Sequence, residues 1–332
     1  MLIEVPLHPV TEATIAKVCG RLITYDGLIS PLGDIDATTG RLKNTFTIKN
    51  RIVAVKGFTG STVGPYIIYS LKKRGLAPKA LIVEQVDVNA VTSAVISDIP
   101  LFKVDKISDI EKLNEEGSAL VCIESGKLKP RGALIAIEGV DGAGKTTVSK
   151  HLLEIFRKCG FRAIYTYEPY YDSIRKIFEN KSMDLTPESE ALLLVADRYS
   201  HISKVVKREL ERGGIVILDR YKYSTIAYQG ALGLPLEWLR EVQKYLPDPD
   251  VAVYLDINPV EGLKRKLKSK ERTLTYFENV ERIEKAREIY LDMASKGELT
   301  LVDASLELPI VVEKVIEVVN GKLGLEIREC SS

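Results

Sequence analysis

The chain has 332 residues, of which 45% are hydrophobic and 28% charged, and its formal net charge is +1. This composition predicts a folded protein of two domains and argues against a disordered chain or a general nucleic-acid binder. The apolar runs are far shorter than the roughly 20 residues of a membrane helix, and the amino terminus lacks a signal-peptide pattern, so we expect a cytoplasmic protein that spans no membrane.

The amino-terminal region, residues 1–126, has predicted strands at residues 52–55 and 80–83 and a predicted helix at about residues 63–74. These elements indicate a small α/β or β-rich domain. Glycine-containing motifs occupy residues 33–40, 57–62 and 74–80.

Through these motifs, residues 20–106 resemble a swivel domain. The nearest family is the small subunit of archaeal phosphomevalonate dehydratase, which is related to aconitase X. The resemblance makes Ser61 a candidate base, although such a dehydratase also needs a large subunit that this chain does not encode. We therefore keep three roles open for this domain: a structural or regulatory module, a small-ligand binding domain, and a retained dehydratase-type function.

A polar segment with glycine and proline follows, and we predict a linker at residues 127–131. The second domain is predicted at residues 132–322, before a tail at residues 323–332. The four cysteines, Cys19, Cys122, Cys159 and Cys330, are scattered without metal-ligand spacing, so we expect four separate thiols.

Within the second domain, apolar strands at residues 133–137, 163–166, 215–218, 251–255 and 299–302 alternate with longer amphipathic stretches. This alternation predicts an α/β fold with a five-stranded parallel sheet. Residues 146–158 have apolar side chains at helical spacing, so a helix should follow the first strand directly.

The segment between that strand and helix fits G-x-x-x-x-G-K-[ST], the phosphate-binding P-loop. Glycines let the backbone wrap a phosphate, the lysine adds positive charge, and the Thr146 hydroxyl is suited to the Mg²⁺ ion of a bound nucleotide. The predicted phosphate-binding residues are Gly139, Val140, Asp141, Gly142, Ala143, Gly144, Lys145, Thr146 and Thr147.

A second cluster, residues 219–229, follows the strand at residues 215–218. It matches the thymidylate kinase signature D-R-Y-x-x-S-x-x-A-Y-Q at every specified position. The resemblance covers about 190 residues and includes Glu168-Pro169, Ala196-Asp197-Arg198 and Asp303-Ala304-Ser305. It implies the P-loop nucleoside monophosphate kinase fold, ATP and dTMP as substrates, Mg²⁺ as cofactor and a homodimer.

The resemblance also assigns roles. Arg220 would bridge the acceptor phosphate and the transferred phosphoryl group, and Asp219 would act with the metal. Asp141 would contact the acceptor sugar or the metal, Tyr228 would favour deoxyribose, and Arg198 would donate to thymine O4. The predicted dTMP-binding residues are Asp141, Glu168, Pro169, Arg175, Leu194, Arg198, Arg220, Ser224, Thr225, Tyr228 and Gln229.

In thymidylate kinases whose P-loop lacks an arginine, the mobile lid supplies one, and this P-loop has Gly142 at that position. Arg265 and Arg272, in the basic stretch after the fourth strand, are therefore candidates for catalysis beside Lys145, Arg220 and Asp219. Two departures concern the acceptor pocket. Leu194 replaces an aromatic residue that often stacks on thymine, and Tyr170-Tyr171-Asp172 replaces the bacterial Gly-Gly-Thr.

These departures keep two alternatives open. The first is a kinase of another nucleoside monophosphate or of a deoxynucleoside. The second is a regulatory nucleotide-binding protein with little turnover.

Overall fold

The computed structural model describes residues 4–11, 17–114, 119–180, 184–268, 280–325 and 327. It divides into two compact units. The first comprises Met1–Gly132 with the short segments Gly160–Arg162 and Glu211–Gly214, and the second comprises Ala133–Cys159, Ala163–Leu210 and Ile215–Ser332.

The first unit is built on an eight-stranded mixed sheet and a two-stranded ribbon. Its strands are β1 (Val5–Pro6), β2 (His8–Pro9), β3 (Lys17–Ile29), β4 (Arg41–Leu42), β5 (Phe46–Thr47), β6 (Ile52–Phe58), β7 (Ala80–Val83), β8 (Leu101–Lys103), β9 (Leu120–Glu124) and β10 (Lys127–Pro130). Its helices are α1 (Pro31–Asp34), α2 (Gly64–Lys73), α3 (Val88–Ser97) and α4 (Ile107–Glu111), followed by a 3₁₀ turn at Lys112–Asn114. The sheet order is β1-β10-β9-β3-β6-β7-β8-β2, and β3, β6, β7 and β8 run parallel.

Both faces of this sheet are buried. Along β6, Ile52 and Ala54 belong to one apolar cluster, whereas Val53 and Val55 belong to the other. Alternate residues of a strand point to opposite faces, so a strand covered on both sides is apolar throughout. This arrangement explains the continuous apolar run at residues 52–55 and agrees with the predicted α/β character of the domain.

The segment predicted as a linker forms part of this sheet. β10 pairs antiparallel with β9, with Lys127 opposite Glu124 and Leu128 opposite Ile123. Ser125 and Gly126 between them have φ values of 50° and 70°, as two-residue hairpin turns require. The polar and glycine residues thus mark a hairpin, and the division between the units follows Gly132.

The second unit has a five-stranded parallel sheet, as the sequence predicted. Its strands are β11 (Ala133–Gly139), β12 (Ala163–Tyr167), β13 (Ile215–Asp219), β14 (Val251–Asp256) and β15 (Thr300–Asp303). Its helices are α5 (Lys145–Lys158), α6 (Asp172–Asn180), α7 (Pro187–His201), α8 (Lys207–Glu211), α9 (Lys222–Gly230), α10 (Leu236–Glu241), α11 (Pro259–Lys268), α12 (Val280–Ser295) and α13 (Leu308–Leu323). A π-helical turn at Ile202–Val206 joins α7 to α8.

The strand order β12-β13-β11-β14-β15 puts β11 at the centre of the sheet. The chain leaves β11 toward β12 on one side and later returns past it to β14 on the other. Parallel α/β sheets bind their ligands at the carboxyl ends of the strands beside such a change of direction. This topology directs attention to the loops after β11 and β13.

No helix among the residues that the structure describes combines the length and the apolar character needed to cross a membrane.

Two of the cysteines are bonded to each other, so the expectation of four separate thiols is wrong. Cys19 on β3 and Cys122 on β9 are direct antiparallel partners and form a disulfide. They are 103 residues apart in the chain, and only the strand register brings them together.

Protein purified without reductant and then denatured should titrate as two thiols per chain, because four cysteines less the Cys19–Cys122 pair leave two. After reduction, the same titration should give four. The replacement of both Cys19 and Cys122 by serine should give two thiols under either condition. Four thiols in the unreduced wild-type chain would contradict the bonded pair.

Candidate functional site

The predicted P-loop has the strand–loop–helix geometry that phosphate binding requires. Buried β11 ends at Gly139, and α5 begins at Lys145. Gly142 and Gly144 have φ values of 80° and 88°, a region that glycine adopts without steric cost. The loop therefore wraps around the amino-terminal end of α5, where free N–H groups and the helix dipole favour an anion.

Lys145 lies inside this loop. Its Nζ donates to the backbone oxygen of Val140 at 2.9 Å. Burial and, after it, the positive charge of Arg220 lower the pKa of Lys145 to about 8, although Asp141 and Asp219 act in the opposite direction. The arrival of a polyanion would favour the charged form of a lysine in such surroundings.

Thr146 and Asp219 meet at the carboxyl ends of β11 and β13. The Thr146 hydroxyl donates to Asp219 Oδ2 at 2.5 Å, and the hydroxyl of Tyr165 donates to the same oxygen at 3.4 Å. Burial and the nearby Asp219 charge raise the pKa of Tyr165. Tyr165 was not predicted as a site residue, because nothing in the sequence distinguishes it from the other tyrosines near β12. Thr147, the last predicted P-loop residue, is exposed.

Arg220 lies beside the P-loop. Its Nη2 donates to Asp141, and its Nη1 is 3.5 Å from the Gly139 carbonyl oxygen and 3.4 Å from Ser224 Oγ. The guanidinium also lies over the Tyr228 ring, 5.1 Å from its centroid. The structure thus brings together four of the predicted acceptor residues.

A buried carboxylate supports this arrangement and was missed by the sequence analysis. Glu138, immediately before the P-loop, is fully buried and accepts from the backbone N–H groups of Tyr221 and Ser224 and from the hydroxyls of Ser224 and Tyr290. Burial raises the pKa of Glu138, and the hydrogen bonds from Ser224 and Tyr290 oppose that rise. An acidic residue inside an otherwise apolar strand was the available signal.

Arg198 on α7 is fixed by three side chains. Its Nε donates to Glu168 at 2.5 Å, and its Nη1 donates to Thr225 Oγ1 at 2.9 Å and to Gln243. The residue is 2% exposed. Glu168, Arg198 and Thr225 therefore form one network, to which Gln243, outside every motif, also belongs.

The rebuilt loop after Glu168 is tied to α7. The Glu168–Pro169 peptide bond is cis. Asp197 accepts the backbone N–H groups of Tyr170 and Tyr171 at 2.7 and 2.9 Å. The Tyr170 ring stacks on buried His201, with centroids 4.5 Å apart.

Three other predicted residues have distinct surroundings. Gln229 is 1% exposed, and neither atom of its amide has a hydrogen-bond partner within the described part of the chain. Leu194 is half-buried on α7, four residues before Arg198. Arg175 is paired with Asp172 and lies over the Tyr167 ring at 5.2 Å.

Arg265, a candidate for catalysis, contacts its own helix and the loop after β15. Its Nη1 donates to the Ala304 carbonyl at 2.8 Å, and its Nη2 donates to Glu261 at 2.6 Å and to the Ser305 carbonyl at 3.2 Å. These contacts hold Arg265 at the loop after β15. Arg272 lies outside the described residues. In the first unit, exposed Ser61 accepts the Val63 N–H at 3.3 Å in the loop after β6.

Helix α11 approaches the P-loop backbone closely. A Cβ atom on Gly142 would lie 1.9 Å from the Gly262 carbonyl oxygen, and one on Gly262 would lie 2.5 Å from the Asp141 carbonyl oxygen. Only glycine fits at either position in this arrangement. This packing leaves no room at residue 142 for the arginine that some related P-loops carry there.

The assembled site can bind a nucleotide phosphate chain at the P-loop and present a guanidinium to a second phosphate. Arg198 and Gln229 offer polar groups to a further part of a ligand.

Comparisons with known proteins agree with this chemistry. The family model for thymidylate kinase matches residues 137–315, and the model for the aconitase X swivel domain matches residues 10–129. A "Probable thymidylate kinase" of Staphylothermus marinus is 39% identical over 189 residues, which cover 56% of this chain and 94% of that protein. A "Thymidylate kinase" of Xanthomonas oryzae pv. oryzae is 38% identical over 200 residues, which cover 60% of this chain and 87% of that protein.

The replacement Gly142→Ala tests the contact with α11. The new Cβ would meet the Gly262 carbonyl at 1.9 Å, so the loop or α11 must move. We expect a larger fall in the free energy of unfolding, measured by urea denaturation, than for Gly297→Ala. Gly297 also has a positive φ, of 77°, but has nothing within 4 Å of the added Cβ, so its cost should stay near ~1 kcal/mol. Equal losses in the two variants would refute the close packing.

Proposed function

This chain belongs to the thymidylate kinase family, and we propose that its second unit transfers the γ-phosphoryl group of ATP to dTMP with the help of Mg²⁺. Family membership makes it a nucleoside monophosphate kinase. ATP as donor, dTMP as acceptor and the metal belong to the proposal.

The placement of Arg220 carries this proposal. Its guanidinium lies between the P-loop, through Gly139 and Asp141, and the helix α9 that holds Ser224 and Tyr228. A cation at this position can contact the acceptor phosphate and the transferred group together. Bidentate guanidinium geometry suits phosphate oxygens.

Recognition of the base is proposed for Arg198 and Gln229. An unpaired buried amide is costly, about 1–3 kcal/mol, so the Gln229 side chain favours a ligand that restores its hydrogen bonds. Thymine offers carbonyl oxygens that accept and a ring N–H that donates, which an amide can complement. The guanidinium of Arg198, held in place by Glu168 and Thr225, is proposed to add a donor.

The chemistry needs alignment more than proton transfer. An oxygen of the acceptor phosphate forms a bond to the γ-phosphorus while the bond from that phosphorus to the β–γ bridging oxygen breaks, and the products are ADP and dTDP. Because the attacking oxygen is already anionic, Lys145 and Arg220 act by positioning the phosphates and stabilising negative charge. Tyr228, under the Arg220 guanidinium, is proposed to face the sugar.

The donor set at the P-loop suits magnesium. Thr146 Oγ1 and Asp219 Oδ2 are hard oxygen donors 2.5 Å apart, and we propose that they hold the metal directly or through its waters. Asp141 is paired with Arg220, so it fits an acceptor or arginine-positioning role better than a metal-ligand role. The bound ion would neutralise charge on the donor phosphates.

The loop after Glu168 favours one second candidate, a kinase of another pyrimidine monophosphate, because Tyr170-Tyr171-Asp172 departs from the family pattern there. For the first unit, the aconitase X swivel match supports the swivel fold, the structural or regulatory, ligand-binding and dehydratase-type roles all stay open, and Ser61 stays a candidate residue only. The homodimer and the cytoplasmic location also stay predictions.

The acceptor is tested by ADP formation from ATP and Mg²⁺ with dTMP, dUMP, UMP, dCMP, CMP, AMP and GMP in turn. We expect a clear preference for dTMP. Arg220→Ala should lower kcat by about a hundredfold or more, because it removes a charge that stabilises the transition state.

Arg240→Ala is the matched control, because Arg240 also binds a carboxylate, that of Glu298, at 2.7 and 2.8 Å. Its kcat should stay near the wild-type value. A preference for another monophosphate would replace dTMP as the acceptor, and transfer to none would reject the kinase proposal.

The pKa of Lys145, about 8, predicts a proton linkage to ATP binding. Above that pH, free Lys145 is mostly neutral, and the triphosphate favours its cation, so binding takes up a proton. ATP affinity should therefore fall as the pH rises through about 8, and proton uptake should vanish well below it, where Lys145 is already charged. Calorimetry in two buffers of different ionisation enthalpy measures the uptake. In Lys145→Arg, whose side chain keeps its charge, the uptake at about pH 8 should disappear; unchanged uptake would assign it to another group.

A further inference from the structure

Glu138 is the most completely satisfied buried charge next to the candidate site. Its Oε1 accepts the Tyr221 N–H at 2.8 Å and the Ser224 N–H at 3.2 Å, and its Oε2 accepts the Ser224 hydroxyl at 2.6 Å and the Tyr290 hydroxyl at 2.9 Å. A buried carboxylate is costly unless it is paired and hydrogen-bonded. Four donors from α9, α12 and the turn before α9 meet that requirement.

One of these donors, the Tyr221 N–H, belongs to the residue that directly follows Arg220. The Arg220 N–H donates to the Ile137 carbonyl at 3.0 Å, and the next N–H, that of Tyr221, donates to Glu138. Arg220 itself has φ of 72°, a left-handed conformation that costs a side-chain-bearing residue roughly 1–2 kcal/mol. Two consecutive residues of β11, Ile137 and Glu138, thus hold the strained backbone of Arg220. The side chain of Arg220 donates to the P-loop residue Asp141.

The contact with Tyr290 extends this arrangement to α12. Tyr290 is fully buried, stacks on Tyr254 with centroids 4.7 Å apart, and reaches both Glu138 and Ser224 with its hydroxyl. Tyr254 donates instead to Asp256 at 2.8 Å. The two tyrosines therefore pack against each other, but their hydroxyl groups have different hydrogen-bond partners.

We propose that Glu138, assisted by Tyr290, is a positioning residue for Arg220. It fixes the left-handed turn at residues 220–221 and so sets where the guanidinium meets the acceptor phosphate. The inference rests on the proposed monophosphate kinase function. It assigns Glu138 no contact with substrate, and the hydrogen bonds of its carboxylate involve no P-loop residue.

This role predicts a specific kinetic pattern. A displacement of about 1 Å at a reacting group can cost a hundredfold in rate, so Glu138→Gln should lower kcat by about 10- to 100-fold and weaken dTMP binding. Glutamine keeps the size and one acceptor oxygen but loses the charge. At a pH well below 8, where Lys145 is charged, the affinity for ATP should stay within about twofold, because the hydrogen bonds of the P-loop are untouched.

Tyrosine variants provide the matched pair. Tyr290→Phe should lower kcat several-fold, whereas Tyr254→Phe should leave it unchanged, although both remove one buried hydroxyl from the same stacked pair. Thermal unfolding of both variants shows whether they lose similar stability. Equal kinetic effects would mean that the pair contributes only packing, and the inference would fail.

A double-mutant cycle on dTMP binding separates positioning from general stability. If Glu138 acts through Arg220, Glu138→Gln should weaken binding in the wild-type background but add nothing in the Arg220→Ala background. Additive losses, or an equal loss of ATP affinity, would overturn the inference. Calorimetry measures binding without turnover, so the cycle can use whichever monophosphate the wild-type chain binds. It therefore decides the role of Glu138 even if the acceptor assay rejects dTMP phosphorylation.

Discussion

The parallel pairing of β11 with β13 is the constraint on which the rest of the site depends. Its register places Ile137 opposite Asp219, the last residue of β13, and β11 ends two residues later at Gly139. The P-loop leaves one strand, and Asp219-Arg220 leaves the other. A slip in this register would separate Lys145 and Thr146 from Asp219 and Arg220, which are more than 70 residues away in sequence.

Electrostatics explains why this meeting point is stable without substrate. Lys145 and Arg220 are both near Asp141, Asp219 and Glu138, and the charge of Arg220 lowers the pKa of buried Lys145. The carboxylates offset the repulsion between the cations, and Arg220 pairs directly with Asp141. An arriving phosphate chain can take over this partnership, so the free site already has the charge arrangement that a polyanion needs.

The site residues that lie in contiguous motifs could be predicted from the sequence. The residues that only the tertiary structure brings to the site could not. The P-loop and the parallel sheet follow from local spacing and periodicity, and the cluster at residues 219–229 was recognised by its resemblance to the thymidylate kinase signature at the end of a strand. Glu138, Tyr165, Gln243 and Tyr290 come from different elements, and no spacing connects them before the chain folds. Likewise, a hairpin at residues 125–126 resembles a linker in sequence, and the Cys19–Cys122 pair depends on strand register.

Leu194 illustrates how the pocket can be selective without an aromatic platform. Stacking on an aromatic ring stabilises every base, because each base has a π-face, so its loss lowers affinity for all of them. Selectivity depends on hydrogen bonds that a wrong base leaves unmade, and such a mismatch can discriminate by about 10⁴ or more. The buried amide of Gln229 and the fixed fork of Arg198 provide such groups. In the proposed acceptor site, the substitution at residue 194 therefore bears on how tightly an acceptor binds, while these polar groups bear on which acceptor binds.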